Sequence, residues 1–253
     1  MTVLTDVTCD EYLGGKLRIT QPKNGYRAGV DPVLLAASVP AKAGQRVLEL
    51  GCGVGVASLC LAARIDGLSL TGLELQAEYA TLARQNAIAN AADMTVFTGD
   101  LVNMPSELRQ KSFDHVIANP PYFLRASSVS ATDPGRETAM GENTPLDEWV
   151  KAAAKRLAPK GTATFIHRAE RLGDLLAAMD HRLGSIQILP LVSRSGRVAR
   201  LVILRAKKGG RAPMRVHDSI VMHDGDRHDR DQKDYSATLV DVLKNGYPLP
   251  FPE

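Results

Sequence analysis

The chain has 253 residues, 44% of them hydrophobic and 23% charged, with a formal net charge of +3. These fractions suit a folded protein with a substantial core and argue against intrinsic disorder. No apolar run approaches the ~20 residues of a membrane helix, the first residues lack a basic and then apolar leader pattern, and three cysteines without Cys-x-x-Cys spacing argue against a disulfide framework and a zinc site, which points to a reducing, cytoplasmic setting.

In chain order, residues 1–40 predict a short apolar helix after Asp31-Pro32, with Asp31 as N-cap and Pro32 at the first helical position. Beyond Gly44, strands and helices alternate. Strand Arg46–Leu50 precedes helix Val56–Arg64, and strand Ser69–Leu73 precedes helix Gln76–Asn90. Strands Thr95–Thr98 and Phe113–Ala118 follow, then a polar loop over Ser127–Asn143 and helix Leu146–Leu157. Strand Thr162–His167, helix Leu172–Arg182 and strands Ile186–Leu191 and Val198–Leu204 complete the series. Such alternation predicts an α/β fold with a mostly parallel sheet and helices on both faces. The last two strands lack an intervening helix and should pair as an antiparallel hairpin. After Gly209-Gly210 the pattern gives a short strand at Ser219–Met222, an exposed loop over Asp224–Asp234 and a helix over Tyr235–Lys244. The expected organisation is a covering segment over 1–40, a main domain over 41–210 and a C-terminal extension over 211–253 packed on that domain.

Two segments carry chemistry. Glu49-Leu50-Gly51-Cys52-Gly53-Val54-Gly55 is a glycine turn between a strand and a helix. Gly51, Gly53 and Gly55 permit positive φ and a close ligand, and the helix offers its N-terminus. The spacing Gly-x-Gly-x-Gly, with Glu49 before it, departs from the dinucleotide fingerprint. It suits the cationic, phosphate-free S-adenosylmethionine instead. Glu74, closing the next strand, is placed to accept from ribose hydroxyls, and Asp100 to meet the adenine amine. Asn119-Pro120-Pro121-Tyr122 ends the fourth strand of the series. Asn119 Oδ1 and the Pro120 carbonyl can each accept one N–H of a planar amine, which holds the nitrogen and frees its lone pair. Tyr122 can stack on the base, with Phe123 beside it. Together the segments imply methyl transfer to an amino or amide nitrogen.

Between Arg194 and Arg215 stand eight basic residues and no acidic one, a run that includes Arg205, Lys207 and Lys208. It reads equally as a phosphate-binding patch and as a solvated edge. His167, His181, His217, His223 and His228 are dispersed without ligand spacing and read mostly as surface residues, so no metal is expected. Cys52 reads as a small packed residue and Trp149 as core.

On Gly29-Val30-Asp31-Pro32-Val33-Leu34-Leu35, Glu49–Gly55, Glu74, Asp100, Asn119–Tyr122, Arg136-Glu137-Thr138 and Val198–Gly210, the chain resembles the bacterial tRNA1(Val) adenine-37 N6-methyltransferase family, grouped with "methyltransferase small" domains. The resemblance implies a class I methyltransferase sheet ending in an antiparallel hairpin. It also implies S-adenosylmethionine as cofactor and an anticodon-loop adenine of a tRNA as substrate. Gly29, Asp31 and Asn119 would join the cofactor site, the whole Asn119–Tyr122 turn would be catalytic, and Arg136, Arg205, Lys207 and Lys208 would contact RNA. Protein-glutamine N5-methylation, adenine N6-methylation of ribosomal RNA or DNA, and a non-catalytic RNA-binding scaffold remain alternatives, and both monomer and homodimer stay open.

Overall fold

The computed structural model describes residues 6–124, 141–142, 144–225 and 234–251. Strands β1 (Val7–Tyr12) and β2 (Leu17–Pro22) form an antiparallel hairpin, with Val7 opposite Pro22 and Tyr12 opposite Leu17. The sequence reading had no strands here. Their signal is the buried pair Leu17 and Ile19, two residues apart on one pleat face.

Helix α1 (Asp31–Ala37) follows. Then come β3 (Arg46–Leu50), α2 (Val56–Arg64), β4 (Ser69–Glu74), α3 (Ala77–Ala89), β5 (Met94–Thr98), α4 (Ser106–Arg109) and β6 (Phe113–Ala118). A short parallel pair, β7 (Phe123–Leu124) with β8 (Gly141–Glu142), leads to α5 (Leu146–Arg156). The remaining elements are β9 (Leu157–Arg168), α6 (Leu172–Met179), β10 (Gly184–Val192), β11 (Ala199–Lys207), β12 (Arg215–Val216), β13 (Ile220–Val221) and α7 (Ala237–Val240). A π-helical turn over Asp241–Asn245 continues α7. The expected loops over Ser127–Asn143 and Asp224–Asp234 fall mainly outside the described residues.

Among the described residues, nine strands make one sheet in the order β12-β10-β11-β9-β6-β3-β4-β5, with β13 also pairing β10. The core strands β9, β6, β3, β4 and β5 are parallel, and β11 runs antiparallel to both β9 and β10. The expected hairpin is therefore present, extended to Gly184–Val192 and Ala199–Lys207. The expected strand over Thr162–His167 starts earlier, at Leu157, because the chain leaves α5 directly into pairing with β6. The helix expected over Leu172–Arg182 stops at Met179, and His181 just beyond has a positive φ of 58°.

Alternation along the strands divides the interior in two. Val47, Ile117, Ile166 and Ile203 face one core, which α1, α2 and α3 cover. Leu48, Val116, Phe165 and Leu204 face the other, beneath α5 and α6. Both layers follow from apolar residues on both faces of the central strands, the pattern of a sheet buried on both sides, with Glu49, His115, Thr164 and His167 as buried polar exceptions.

Chain order runs outward from β3 through β4 to β5, then returns to β6 on the other side of β3. The crevice at that reversal is where open α/β sheets bind ligands. Leu50 pairs with Ala118, so the glycine turn after β3 and the Asn-Pro-Pro-Tyr turn after β6 leave the sheet side by side.

Candidate active site

The glycine turn is built by its own backbone and two neighbours. Gly51, Gly53 and Gly55 have φ of 64°, 54° and 90°, as their spacing predicts. The Gly55 N–H donates to the Cys52 carbonyl at 2.8 Å, closing the turn. Asn86, buried on α3, donates to the Val54 carbonyl at 3.0 Å and exchanges two hydrogen bonds with the backbone of Thr20 on β2. One amide thus pins the turn and the N-terminal hairpin together. Sequence reasoning missed Asn86, since an asparagine inside a helix gives no local sign of what its amide reaches.

Glu49 is buried, and Oε2 accepts from Ser58 N at 3.0 Å and Ser58 Oγ at 2.5 Å in the first turn of α2. Burial pushes its pKa up to about 7, against the two hydrogen bonds that favour the anion. Ionising Glu49 therefore costs the free protein stability as pH rises from 4.5 through about 7. A cationic ligand benefits from the same ionisation. Affinity for S-adenosylhomocysteine, whose ammonium is positive, should rise about tenfold between about pH 6 and about pH 8. Calorimetric titration checks this, and Glu49→Gln should flatten the profile.

Glu74 accepts from Gly53 N through Oε2 and from Gln76 N through Oε1, both at 2.9 Å, and burial raises its pKa. Asp100 Oδ1 accepts from Val102 N at 2.9 Å. These bonds fix each carboxylate at the end of its strand and leave further lone pairs for a ligand.

A cavity of about 290 Å³ lies over these strand ends. Its wall includes Gly29, Asp31, Glu49, Gly51, Gly53, Glu74, Asp100, Asn119, Pro120, Pro121 and Tyr122. Gly55 is set back as the N-cap residue of α2, where its positive φ turns the chain into the helix. Phe123 starts β7 just past the turn, and Arg136 lies outside the described residues.

The reactive turn is held from behind. His167 is fully buried, with Nε2 3.3 Å from the Pro121 carbonyl and its ring edge-on to Tyr122 at 5.3 Å between centroids. This corrects its reading as a surface residue. It is the penultimate residue of β9, on the face shared with Ala163 and Phe165, so burial was legible from position. Tyr122 donates its hydroxyl to Asp31 Oδ2 at 2.5 Å. Burial and that carboxylate push the phenol pKa up, so it stays a donor. Asp31 is accordingly the first residue of α1 and makes no cap with its side chain. The expected N-cap role yields because the carboxylate bridges to the reactive turn instead. The guanidinium of Arg168 lies 5.6 Å from the Tyr122 ring centroid.

Among the described residues, two buried polar atoms in the wall have no hydrogen-bond partner, Asn119 Oδ1 and Trp149 Nε1. Such atoms cost about 1–3 kcal/mol each unless something pairs with them. They are what a site for a polar ligand leaves open, one acceptor and one donor. Trp149 is thus core, as expected, and cavity wall as well. Cys52 is buried with its thiol pKa raised by desolvation, as a packed residue should be. Among the described residues, no group of three or more metal-binding side chains gathers, and no helix is long and apolar enough to cross a membrane.

Three candidate substrate residues lie elsewhere. Arg205 donates to the Ser38 carbonyl and stacks at 3.9 Å on the Phe251 ring, so its guanidinium ties the C-terminal tail to the sheet. Lys208 Nζ donates to the Leu157 carbonyl at 2.7 Å, and Lys207 is exposed nearby. None of the three lines the cavity. The run of charge crosses the whole length of β11, and these residues sit at its far end.

The sequence model of the Methyltransferase small domain matches residues 28–189. A tRNA1(Val) (adenine(37)-N6)-methyltransferase of Porphyromonas gingivalis is 33% identical over 184 residues, covering 67% of this chain and 70% of that protein. One of the same name from Dickeya chrysanthemi is 28% identical over 240 residues, or 90% of each chain. Among solved structures, a predicted O-methyltransferase from Agrobacterium tumefaciens superposes with a TM-score of 0.68 at 24% identity, covering 86% of this chain and 97% of that one. The Thermus thermophilus 16S rRNA N2 G1207 methyltransferase, solved with AdoMet and guanosine, gives 0.54 at 21% identity, covering 80% and 50%. These likenesses fall on the class I methyltransferase fold, and the glycine turn, Glu49 and Glu74 fit the methyl donor that such proteins use. With the family model spanning both strand-end turns, the chain belongs to the methyltransferase small domain family and is an S-adenosylmethionine-dependent methyltransferase.

Proposed function

We propose that the chain methylates the N6 amine of an adenine in tRNA, namely adenine 37 of tRNA1(Val), and acts in the cytoplasm. The observation that carries this reading is the unpartnered Asn119 Oδ1 in the wall of the cavity, one strand from Gly51. An acceptor without a donor calls for an N–H, and the Pro120 carbonyl offers a second acceptor to the same nitrogen. Bound S-adenosylmethionine supplies the electrophilic methyl group. Asn119 and Pro120 orient the amine and accept its developing positive charge, which favours the direction in which its lone pair must point. Water or the same acceptors then take the surplus proton. Asp31, through Tyr122, and His167, beside the Pro121 carbonyl, keep the turn from relaxing.

The curated relatives carry the tRNA1(Val) name in several bacteria, including the one matched over 90% of both chains. An anticodon loop is single-stranded, so its base enters a pocket at small unstacking cost. In this reading the N-terminal covering segment supplies Gly29 and Asp31 to the cavity, and the C-terminal extension, through its described residues 211–225 and 234–251, packs on the main domain.

The test is transfer of an isotopically labelled methyl group to purified tRNA, ribosomal RNA and a peptide-release factor in parallel. Label should appear in tRNA, as N6-methyladenosine after nuclease digestion. Label confined to the release factor would transfer the assignment to glutamine.

A further inference from the structure

The basic run reads as one patch along the chain, but the sheet register splits it between two opposite edges. Ala118, which precedes Asn119, pairs with Phe165, and Arg168 three residues on pairs with Leu201. Leu201 in turn pairs with Leu191. The β10–β11 turn, residues 193–198, therefore projects from the same edge as the reactive turn. Arg200 stands three residues further along than the level of Asn119, about 10 Å at strand spacing, and two strands across, about 10 Å more. Lys207 pairs with Thr162, which pairs with His115, four residues before Asn119. It lies about 13 Å in the other direction.

The arginines on the near edge are not equivalent. Arg171 pairs with Asp174, and Arg194 with Asp234. Arg197 and Arg200 are exposed, and their side chains make no ion pair or hydrogen bond among the described residues. Between them and the cavity mouth lies Arg168, over Tyr122. An exposed acid, Glu170, also stands on this edge, so the near edge offers separate cations rather than a uniform field.

We propose that the β10–β11 turn is the nucleic-acid grip of this protein: Arg197 and Arg200 take backbone phosphates flanking the nucleotide whose base enters the cavity. The inference rests on the RNA reading above. A substrate seated at Asn119 must cross this edge, and two solvent-facing guanidiniums, Arg197 on the turn and Arg200 at the start of β11, suit phosphate oxygens without desolvating a buried charge. Lys207 and Arg211 face the opposite edge and do not share in the grip.

The test compares R197A/R200A with K207A/R211A. The readouts are RNA binding by anisotropy across a salt series, methylation kcat and KM, and S-adenosylhomocysteine affinity. The near-edge variant should bind tRNA roughly tenfold more weakly, and its log K against log[salt] should lose about 1.4 in slope, the value for two single-strand phosphate contacts. The loss should fall on KM rather than kcat, and R197K/R200K should restore the slope. Unchanged thermal unfolding and unchanged S-adenosylhomocysteine affinity would separate this from misfolding. Normal RNA affinity and slope in the near-edge variant, or their loss in the far-edge one, overturns the grip while leaving the function standing. A wild-type protein that neither binds nor methylates RNA overturns both.

Discussion

Asn119→Ala should lower methylation turnover by roughly 10²–10³-fold, the scale seen when a preorganised polar contact to a developing charge is removed. Affinity for S-adenosylhomocysteine should stay near the wild-type value. The split follows from the geometry. Asn119 Oδ1 is buried and unpartnered, so it contributes nothing to the fold that alanine would forfeit. The carboxylates that would hold the cofactor are anchored elsewhere, Glu49 by Ser58 and Glu74 by Gly53 and Gln76. The loss should appear in single-turnover rates, with calorimetry reporting intact cofactor binding. Asn119→Asp keeps an acceptor and should recover part of the rate. An alanine variant that binds cofactor poorly but turns over normally would remove Asn119 from the reaction.

Gly51→Ala should have a comparably large effect through a different route. At a φ of 64° an alanine carries left-handed strain of about 1–2 kcal/mol. Its methyl would also lie 2.6 Å from Cη2 and 3.1 Å from Cζ3 of Trp149, so the ring or the turn must move. Overpacking of that kind adds about 1–3 kcal/mol. The expected result is a melting temperature lower by several degrees and S-adenosylhomocysteine affinity reduced by more than an order of magnitude. Gly53→Ala is the informative contrast. Its φ of 54° brings similar strain, but its methyl would meet nothing within 4 Å. Because Gly53 lines the cavity, that open space is room for a ligand. Gly53→Ala should therefore impair binding with a smaller loss of stability. Equal melting temperatures for the two variants would mean that the Trp149 contact is easily relieved.

Much of this site was legible in the chain because its determinants are local. A glycine turn, an acid at a strand end and Asn-Pro-Pro-Tyr each act within a few residues of where they are written, and parallel strands bring such turns to one edge. What escaped was set by pairing across the sheet. The charges from Arg194 to Arg215 look continuous, yet β11 advances about 3.3 Å per residue and carries them from the reactive edge to the opposite one. Arg205 looked like a phosphate ligand until its guanidinium was found between Ser38 and Phe251. Asp31 looked like a cap, since nothing near it announces Tyr122, 91 positions later. The β1–β2 hairpin was missed because no residue of β1 is fully buried, both strands are only six residues long, and the exposed positions include Glu11 and Arg18.

Trp149 is the only tryptophan in the chain, and its indole forms part of the cavity wall. Emission excited selectively at tryptophan, beyond the absorption of the six tyrosines, therefore originates at a single ring beside the place where ligands settle. Occupancy becomes an optical signal intrinsic to the native molecule, readable by titration without a dye, a tag or a catalytic turnover.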